Sequence, residues 1–222
     1  HDSACAMALR QAGAVLLGKT WTPELALGGL PPTRNPYDTA RTAGASSSGC
    51  GAAVGADMAP ATIGNQTAGS LIRPASYNAN YGFKPSFGVL NVFGMHPLAP
   101  SQDHIGPMTA TLEDAWAVAW EIAERAGPHN ECEGLAGPAA MPGPIRPARL
   151  VFLRTSGWGE IDDASRRAFL ALLDRLRAAG VETPDAGSDD DVARLEELLT
   201  EADAVAQDIV MYEVRWPLAA YV

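Results

Sequence analysis

Lysine is nearly absent from this 222-residue chain: only Lys19 and Lys84 occur, and acids outnumber bases to give a net charge of −10. Residues 1 to 100 carry +2 and the remainder −12, so the second half is strongly acidic. Binding to a nucleic-acid backbone needs clustered lysine and arginine to displace counterions, and no such cluster exists. No apolar run approaches the roughly 20 residues that span a bilayer, and the N-terminus lacks the basic and apolar regions of a signal peptide. The three cysteines, Cys5, Cys50 and Cys132, are an odd set without close pairing, which fits a reducing compartment. A cytoplasmic protein that touches neither nucleic acid nor membrane is expected. His129-Asn130-Glu131-Cys132 offers two metal ligands and no partners for them, short of a zinc set, so no metal is expected.

What the chain does have is small residues. Hydrophobic residues make up 47% of it and glycine contributes 22 positions, enough for a buried core with close backbone contacts. Two segments concentrate them: Ala43-Gly44-Ala45-Ser46-Ser47-Ser48-Gly49-Cys50-Gly51 and Gly64-Asn65-Gln66-Thr67-Ala68-Gly69-Ser70-Leu71-Ile72-Arg73-Pro74. Each holds a serine, Ser46 and Ser70, 24 residues apart. Small residues let main-chain N–H groups approach a reacting carbonyl, and a serine beside such a run can attack it. The bland alternative is that the runs only permit tight packing of loop on helix.

The two segments, their separation, and the downstream Gly82-Phe83-Lys84-Pro85-Ser86 and Pro97-Leu98-Ala99-Pro100-Ser101-Gln102-Asp103-His104-Ile105-Gly106-Pro107-Met108 resemble the amidase signature family. The likeness begins at Gly18-Lys19-Thr20 and covers roughly the first half of the chain. It implies a hydrolase of linear carbon–nitrogen amide bonds that works through an acyl-enzyme, needs no cofactor, and takes a small-molecule amide. A homo-oligomer is compatible with it. It further implies a Ser, cis-Ser, Lys triad with Ser70 as nucleophile and Ser46 as the proton-bridging serine. The N–H groups of Thr67, Ala68, Gly69 and Ser70 would form the oxyanion hole. Ser47 and Ser48 are second-rank candidates, expected as local hydrogen bonders, and Arg73 is either a buried structural cation bonded to carbonyls or a contact for a substrate carboxylate, the former favoured.

Two small departures stand out: Ala45 and Ala68 occupy positions where the family usually has glycine. A larger one concerns the base, because the family's lysine lies upstream of Gly-Lys-Thr and neither lysine here aligns with it. The expectation is a piece of a longer enzyme, or a homologue that has lost the third member of the triad. Two neighbouring functions share the signature: the glutaminase subunit of a tRNA-dependent amidotransferase, and a non-catalytic binding subunit.

Other patterns are weaker. Gly13 to Thr20 matches G-x-x-x-x-G-K-[ST], but its intervening Ala-Val-Leu-Leu reads as a buried strand rather than an open phosphate loop. Asp103 and His104 invite a Ser-His-Asp reading, which their adjacency disfavours. The five tryptophans share no spacing and are expected in the core.

Periodicity predicts a helix over 3–12, a strand over 14–17, loop with room for one turn of helix over 22–37, a helix over 48–56 and a strand over 61–64. Thr111-Leu112-Glu113-Asp114 reads as a capping box opening a helix to Arg125, stopped by Gly127 and Pro128. A strand over 149–153, a helix over 164–179 and an amphipathic stretch from Val192 to about Tyr221 follow. The expected organisation is a signature core over 1–126, a Gly/Pro/Ala-rich linker over 127–147, and a continuation of the same domain over 148–222. The fold class is α/β, with helices on both faces of a central sheet; the family likeness adds that the sheet is mixed.

Overall fold

A computed structural model describes residues 1–27 and 29–221; Gly28, inside the expected loop, and Val222, inside the expected C-terminal region, lie outside the described residues. The chain divides into two units, residues 1–142 with 210–222, and residues 143–209.

The first unit is built on three strands, β1 (Ala61–Gln66), β2 (Tyr81–Gly82) and β3 (His104–Thr109), in the order β1-β3-β2. Both pairings are antiparallel, with β1 running from Ala61 opposite Thr109 to Gln66 opposite His104. Parallel pairing, the other half of the expected mixed sheet, occurs among the described residues as an isolated bridge between Arg149 and Glu182 in the second unit.

Helices cover both faces, and the alternation of side chains along β3 decides what meets what. Ile105 packs with Ala8 of α1 (Ala4–Gln11) and with Ala119 and Ile122 of α4 (Leu112–Ala126). Met108, on the opposite face, packs with Cys50 of α2 (Ser48–Gly55) and with Leu71 and Ala75 at α3 (Ile72–Tyr77). Buried Ala115, Ala119 and Ile122 recur at helical spacing and form the inward stripe of α4. Its start is set as the sequence predicts: Thr111 Oγ1 accepts the Asp114 N–H at 3.1 Å, and Gly127 ends it at φ 66°. Full burial of a side chain such as Ile122 stabilises the fold by about 1.5–3 kcal/mol.

In the second unit, residues 148–152 run beside 182–184 through three main-chain hydrogen bonds, Leu150 N to Glu182 O among them at 2.8 Å. Phe152, Trp158 and Phe169 of α5 (Asp163–Ala178) form an aromatic cluster with centroids 5.1 to 5.7 Å apart. Asp162 caps α5 by accepting the Ser165 N–H at 2.8 Å. The last long helix, α6 (Asp190–Glu213), is followed by α7 (Arg215–Tyr221). Val210 and Val214 pack on Leu98 and Ala99, so the end of α6 and α7 belong to the first unit rather than to a continuous C-terminal half.

Two expectations need correction. Residues 14–17 form no strand: no other segment pairs with them among the described residues, and Val15 is 81% exposed. Nor are all the tryptophans core. Trp21 and Trp216 are exposed, and at Trp21 it is the main chain that packs, accepting the Gly49 N–H at 3.1 Å while the indole turns outward.

The small-residue run of α2 lets the helix lie against α3 at backbone distance. A Cβ at Gly51 would stand 2.8 Å from Pro74 O and 2.7 Å from Asn78 Nδ2, and one at Gly55 2.8 Å from Asn78 O. These contacts leave no room for a methyl group without moving main chain. Gly51→Ala should therefore destabilise the protein by about 1–3 kcal/mol, an overpacking cost readable as a lowered urea midpoint. An unchanged midpoint would show that the two helices are not packed this closely in solution.

Candidate active site

The chain turns from β1 into α3 through Thr67, Ala68, Gly69 and Ser70. Gln66, the last strand residue and nearly buried, reaches across this turn: its Oε1 accepts the N–H groups of Leu71 and Ile72, both at 3.0 Å, and its Nε2 donates to Ala68 O at 2.8 Å. An amide suits the position because it must both accept and donate. Two N–H groups at the start of α3 thus find a partner they would otherwise lack. Ser70 is half-buried, and the space where a Cβ of Gly69 would stand is open to 4 Å. Ala68 is exposed, so its methyl group, unusual for the resemblance, costs the turn nothing.

The second small-residue segment is fastened around this turn. Ser47 Oγ donates to Asn65 O at 3.1 Å and accepts the Asn65 N–H at 3.3 Å, tying it to the end of β1. Arg73 Nη2 donates to Ala45 O at 3.2 Å, and Asn78 Nδ2 to Ala43 O at 2.9 Å, tying it to α3. Gly44, at φ 90°, brings its α-carbon so near Pro74 that an added Cβ would lie 3.0 Å from Pro74 Cα. Ser46 therefore sits between two anchors, one five residues before Ser70 and one three residues after it.

Ser46 and Ser48 are both buried, and neither hydroxyl has a hydrogen-bond partner among the described residues. A hydroxyl taken out of water and left unbonded costs about 1–3 kcal/mol, so two within three residues is an unusual penalty for packing alone. Ser47, expected only in a secondary role, is the structural tie of the three.

The peptide bond entering Ser46 is not cis, and no cis bond occurs among the described residues, which corrects the cis-serine expectation. A cis bond before a residue other than proline costs about 3–4 kcal/mol, a penalty that the trans form avoids. Arg73 bonds a carbonyl as the structural reading expects, but its side chain is exposed rather than buried.

Asp103 is 2% exposed, and its hydrogen bonds run to Thr67, Leu98 and Ala99. Its Oδ1 accepts from Thr67 Oγ1 at 2.5 Å, and its Oδ2 accepts the N–H groups of Leu98 and Ala99 at 2.8 and 3.1 Å. His104 Nδ1 lies 2.6 Å from Gln102 O. The Ser-His-Asp reading thus has no geometric basis. Burial, and then the neighbouring Lys84 charge, push the His104 pKa below its ordinary value, against the opposing pull of the Gln102 and Gln66 carbonyls and of Asp103. Lys84 is itself lowered by burial, and its Nζ donates to Pro85 O at 2.7 Å. Lys19 is exposed.

The roles of Asn65, Gln66 and Asn78 escape sequence reasoning. A signal for Gln66 exists in its place at the strand end before four turn residues; nothing local marks Asn78. Among the described residues no group of three or more His, Cys, Asp or Glu side chains could share a metal ion, and no helix is long and apolar enough to cross a membrane.

The family model named Amidase matches residues 1–211. The glutamyl-tRNA(Gln) amidotransferase A-subunit of Sulfurisphaera tokodaii is 44% identical over 120 residues, which is 51% of this chain and 25% of that protein. The protein of the same name from Solidesulfovibrio magneticus is 35% identical over 191 residues, covering 81% of this chain and 39% of the relative. A crystal structure of an amidase superposes with a TM-score of 0.69 at 27% identity, over 98% of this chain and 54% of that one. The chain thus spans well under half the length of these curated relatives.

Because the folded state holds His104 below its ordinary pKa, neutral imidazole is the form the fold favours. The stability it contributes is present above the unfolded value near 6.5 and is lost as pH falls through the folded value. His104→Gln should therefore flatten the acid limb: the unfolding free-energy advantage of the wild type over this variant should shrink between pH 8 and pH 5 in urea titrations. An advantage that stays constant over that range would show that His104 titrates alike in both states.

Proposed function

The chain belongs to the amidase signature family, and from that premise we propose that its protein hydrolyses an amide bond with Ser70 as nucleophile and Ser46 as proton bridge. The observation that carries the reading is the buried Ser46 hydroxyl, which is bonded to no partner among the described residues, Ser70 included, and is held between anchors on both sides of the turn that carries Ser70. A serine hydroxyl attacks poorly at neutral pH unless a neighbour takes its proton, and a bridging hydroxyl needs free hydrogen-bonding capacity to do so.

In this mechanism Ser70 Oγ attacks the carbonyl carbon while its proton passes to Ser46. The carbonyl oxygen gains negative charge and is received by the N–H groups of Thr67, Ala68, Gly69 and Ser70, a turn whose shape Gln66 holds before substrate arrives. Collapse of the tetrahedral intermediate breaks the C–N bond, the bridged proton goes to the leaving amine, and an ester on Ser70 remains. Water then attacks the ester and restores the serine. The family resemblance assigns the base at the far end of the bridge to a lysine upstream of Gly18. It must be desolvated to be neutral at pH 7. Arg73 supports the loop of Ser46 through Ala45 O.

The names of the relatives favour a second reading, in which the amide is that of glutamine and the protein works as the A-subunit of a tRNA-dependent amidotransferase. A binding protein without catalysis is the third. The open space at Gly69 and the partial exposure of Ser70 support access for a small amide.

The full gene product should be labelled at one serine by a fluorophosphonate probe, and Ser70→Ala should abolish the label. Ser46→Ala should slow it by about 100-fold or more, the usual worth of a proton-transfer group. Label that persists in Ser70→Ala would dismiss the assigned nucleophile. Ammonia release from glutamine, compared with release from a peptide C-terminal amide, separates the first two readings; an unlabelled wild type leaves the third.

A further inference from the structure

The antiparallel register of β1 and β3 ends with Gln66 opposite His104, and one step beyond the last pair the chain presents Thr67 opposite Asp103. Their side chains meet there, Thr67 Oγ1 to Asp103 Oδ1 at 2.5 Å. That is the short length of a hydroxyl donating to a carboxylate. The carboxylate is almost fully buried, and its second oxygen is held by the Leu98 and Ala99 N–H groups. Leu98 and Ala99 are themselves buried against Val210 and Val214. Asp103 is therefore a fixed post with three donors aimed at it, one of which is the first residue of the turn that carries Ser70.

The pair is not explained by the fold's need for a buried acid. Leu98 and Ala99 could be served by a neutral acceptor, whereas a buried carboxylate is tolerated only with its hydrogen bonds in place. What the third bond does is fix the side chain of Thr67, and with it the plane of the peptide whose N–H stands first in the turn. Gln66 holds the turn from within, through Ala68 O and the N–H groups of Leu71 and Ile72, and Asp103 holds it from outside. The open side of Gly69 is left unobstructed.

We infer that Asp103 is a positioning residue for the turn at 67–70, acting through the Thr67 hydroxyl to aim its main-chain N–H groups at the developing oxyanion. The inference rests on the reading of Ser70 as nucleophile. Asp103 touches neither substrate nor Ser70; its action is geometric, and a misplacement of the donors by about 1 Å is enough to cost on the order of 100-fold in rate.

The test compares Thr67→Val, Thr67→Ser, Asp103→Asn and the Thr67→Val/Asp103→Asn pair in the full gene product. The readouts are the rate of fluorophosphonate labelling at Ser70, the split between kcat and KM for amide hydrolysis, and the thermal midpoint. Thr67→Val should lower the labelling rate and kcat by about 30- to 100-fold while KM stays within about threefold, because the donors serve the transition state and not the ground state. Thr67→Ser, which restores the hydroxyl without the methyl group, should recover most of that loss. The double variant should be no more than about threefold slower than the worse single one, since both substitutions act on the same hydrogen bond. Labelling of Thr67→Val at the wild-type rate would overturn the inference, as would Thr67→Ser behaving like Thr67→Val, which would assign the effect to packing. Should Asp103→Asn fail to fold, the Val and Ser variants alone decide. A wild type that is not labelled at Ser70 sinks the nucleophile itself, whereas a labelled wild type with an indifferent Thr67→Val sinks only the role of Asp103.

Discussion

The six-residue pairing of β1 with β3 is the constraint on which the rest depends. It is local in neither strand, since α3, β2 and the loops around them separate the two, yet its register decides which side chains confront one another at the end of the ladder. A slip of one residue would turn every side chain of β1 to the other face. Asn65 would lose Ser47, Thr67 would lose Asp103, and the serine-bearing loop would lose its anchor. Packing on both faces makes such a slip costly: Ile105 is committed to α1 and α4, Met108 to α2 and α3.

The helices around that ladder are held by backbone approach as much as by side-chain burial. Where α2 meets α3, glycine replaces the usual interdigitation, and Asn78 fills the seam by donating to Ala43 O and Pro74 O. The same tightness explains why the two serine segments are so poor in large residues. Close approach of main chain to main chain is what allows one loop to be fastened to both sides of the other.

Much of this is legible from residue order. Thr111 and Gly127 mark the ends of α4 to within a residue, because capping is written in adjacent positions. The paired small-residue segments announce two loops that must meet, and the likeness to the amidases names the serines to watch. What stays hidden depends on long-range geometry. Residues 14–17 have a strand's composition, but a strand exists only with a neighbour to pair with, and that cannot be read from Val15 and Leu16 themselves. The outward indoles of Trp21 and Trp216 defeat expectation for a related reason: the main chain at 21, not its ring, is what α2 receives. In the sequence Asp103 stands out for its adjacency to His104, whereas its partner is 36 positions away and is reached only through the sheet.

Beneath the serine loop lies a thiol with a separate consequence. Cys50 is buried between Thr20 Oγ1, 3.0 Å away, and Ile63 O, 3.3 Å away, and burial raises its pKa, so it resists forming the thiolate that alkylating reagents require. Cys5 and Cys132 are only partly buried. The molecule thus carries an internal clock: iodoacetamide consumes the outer two sulfurs first, and the lag before the third is modified times how often α2 lifts away from β1.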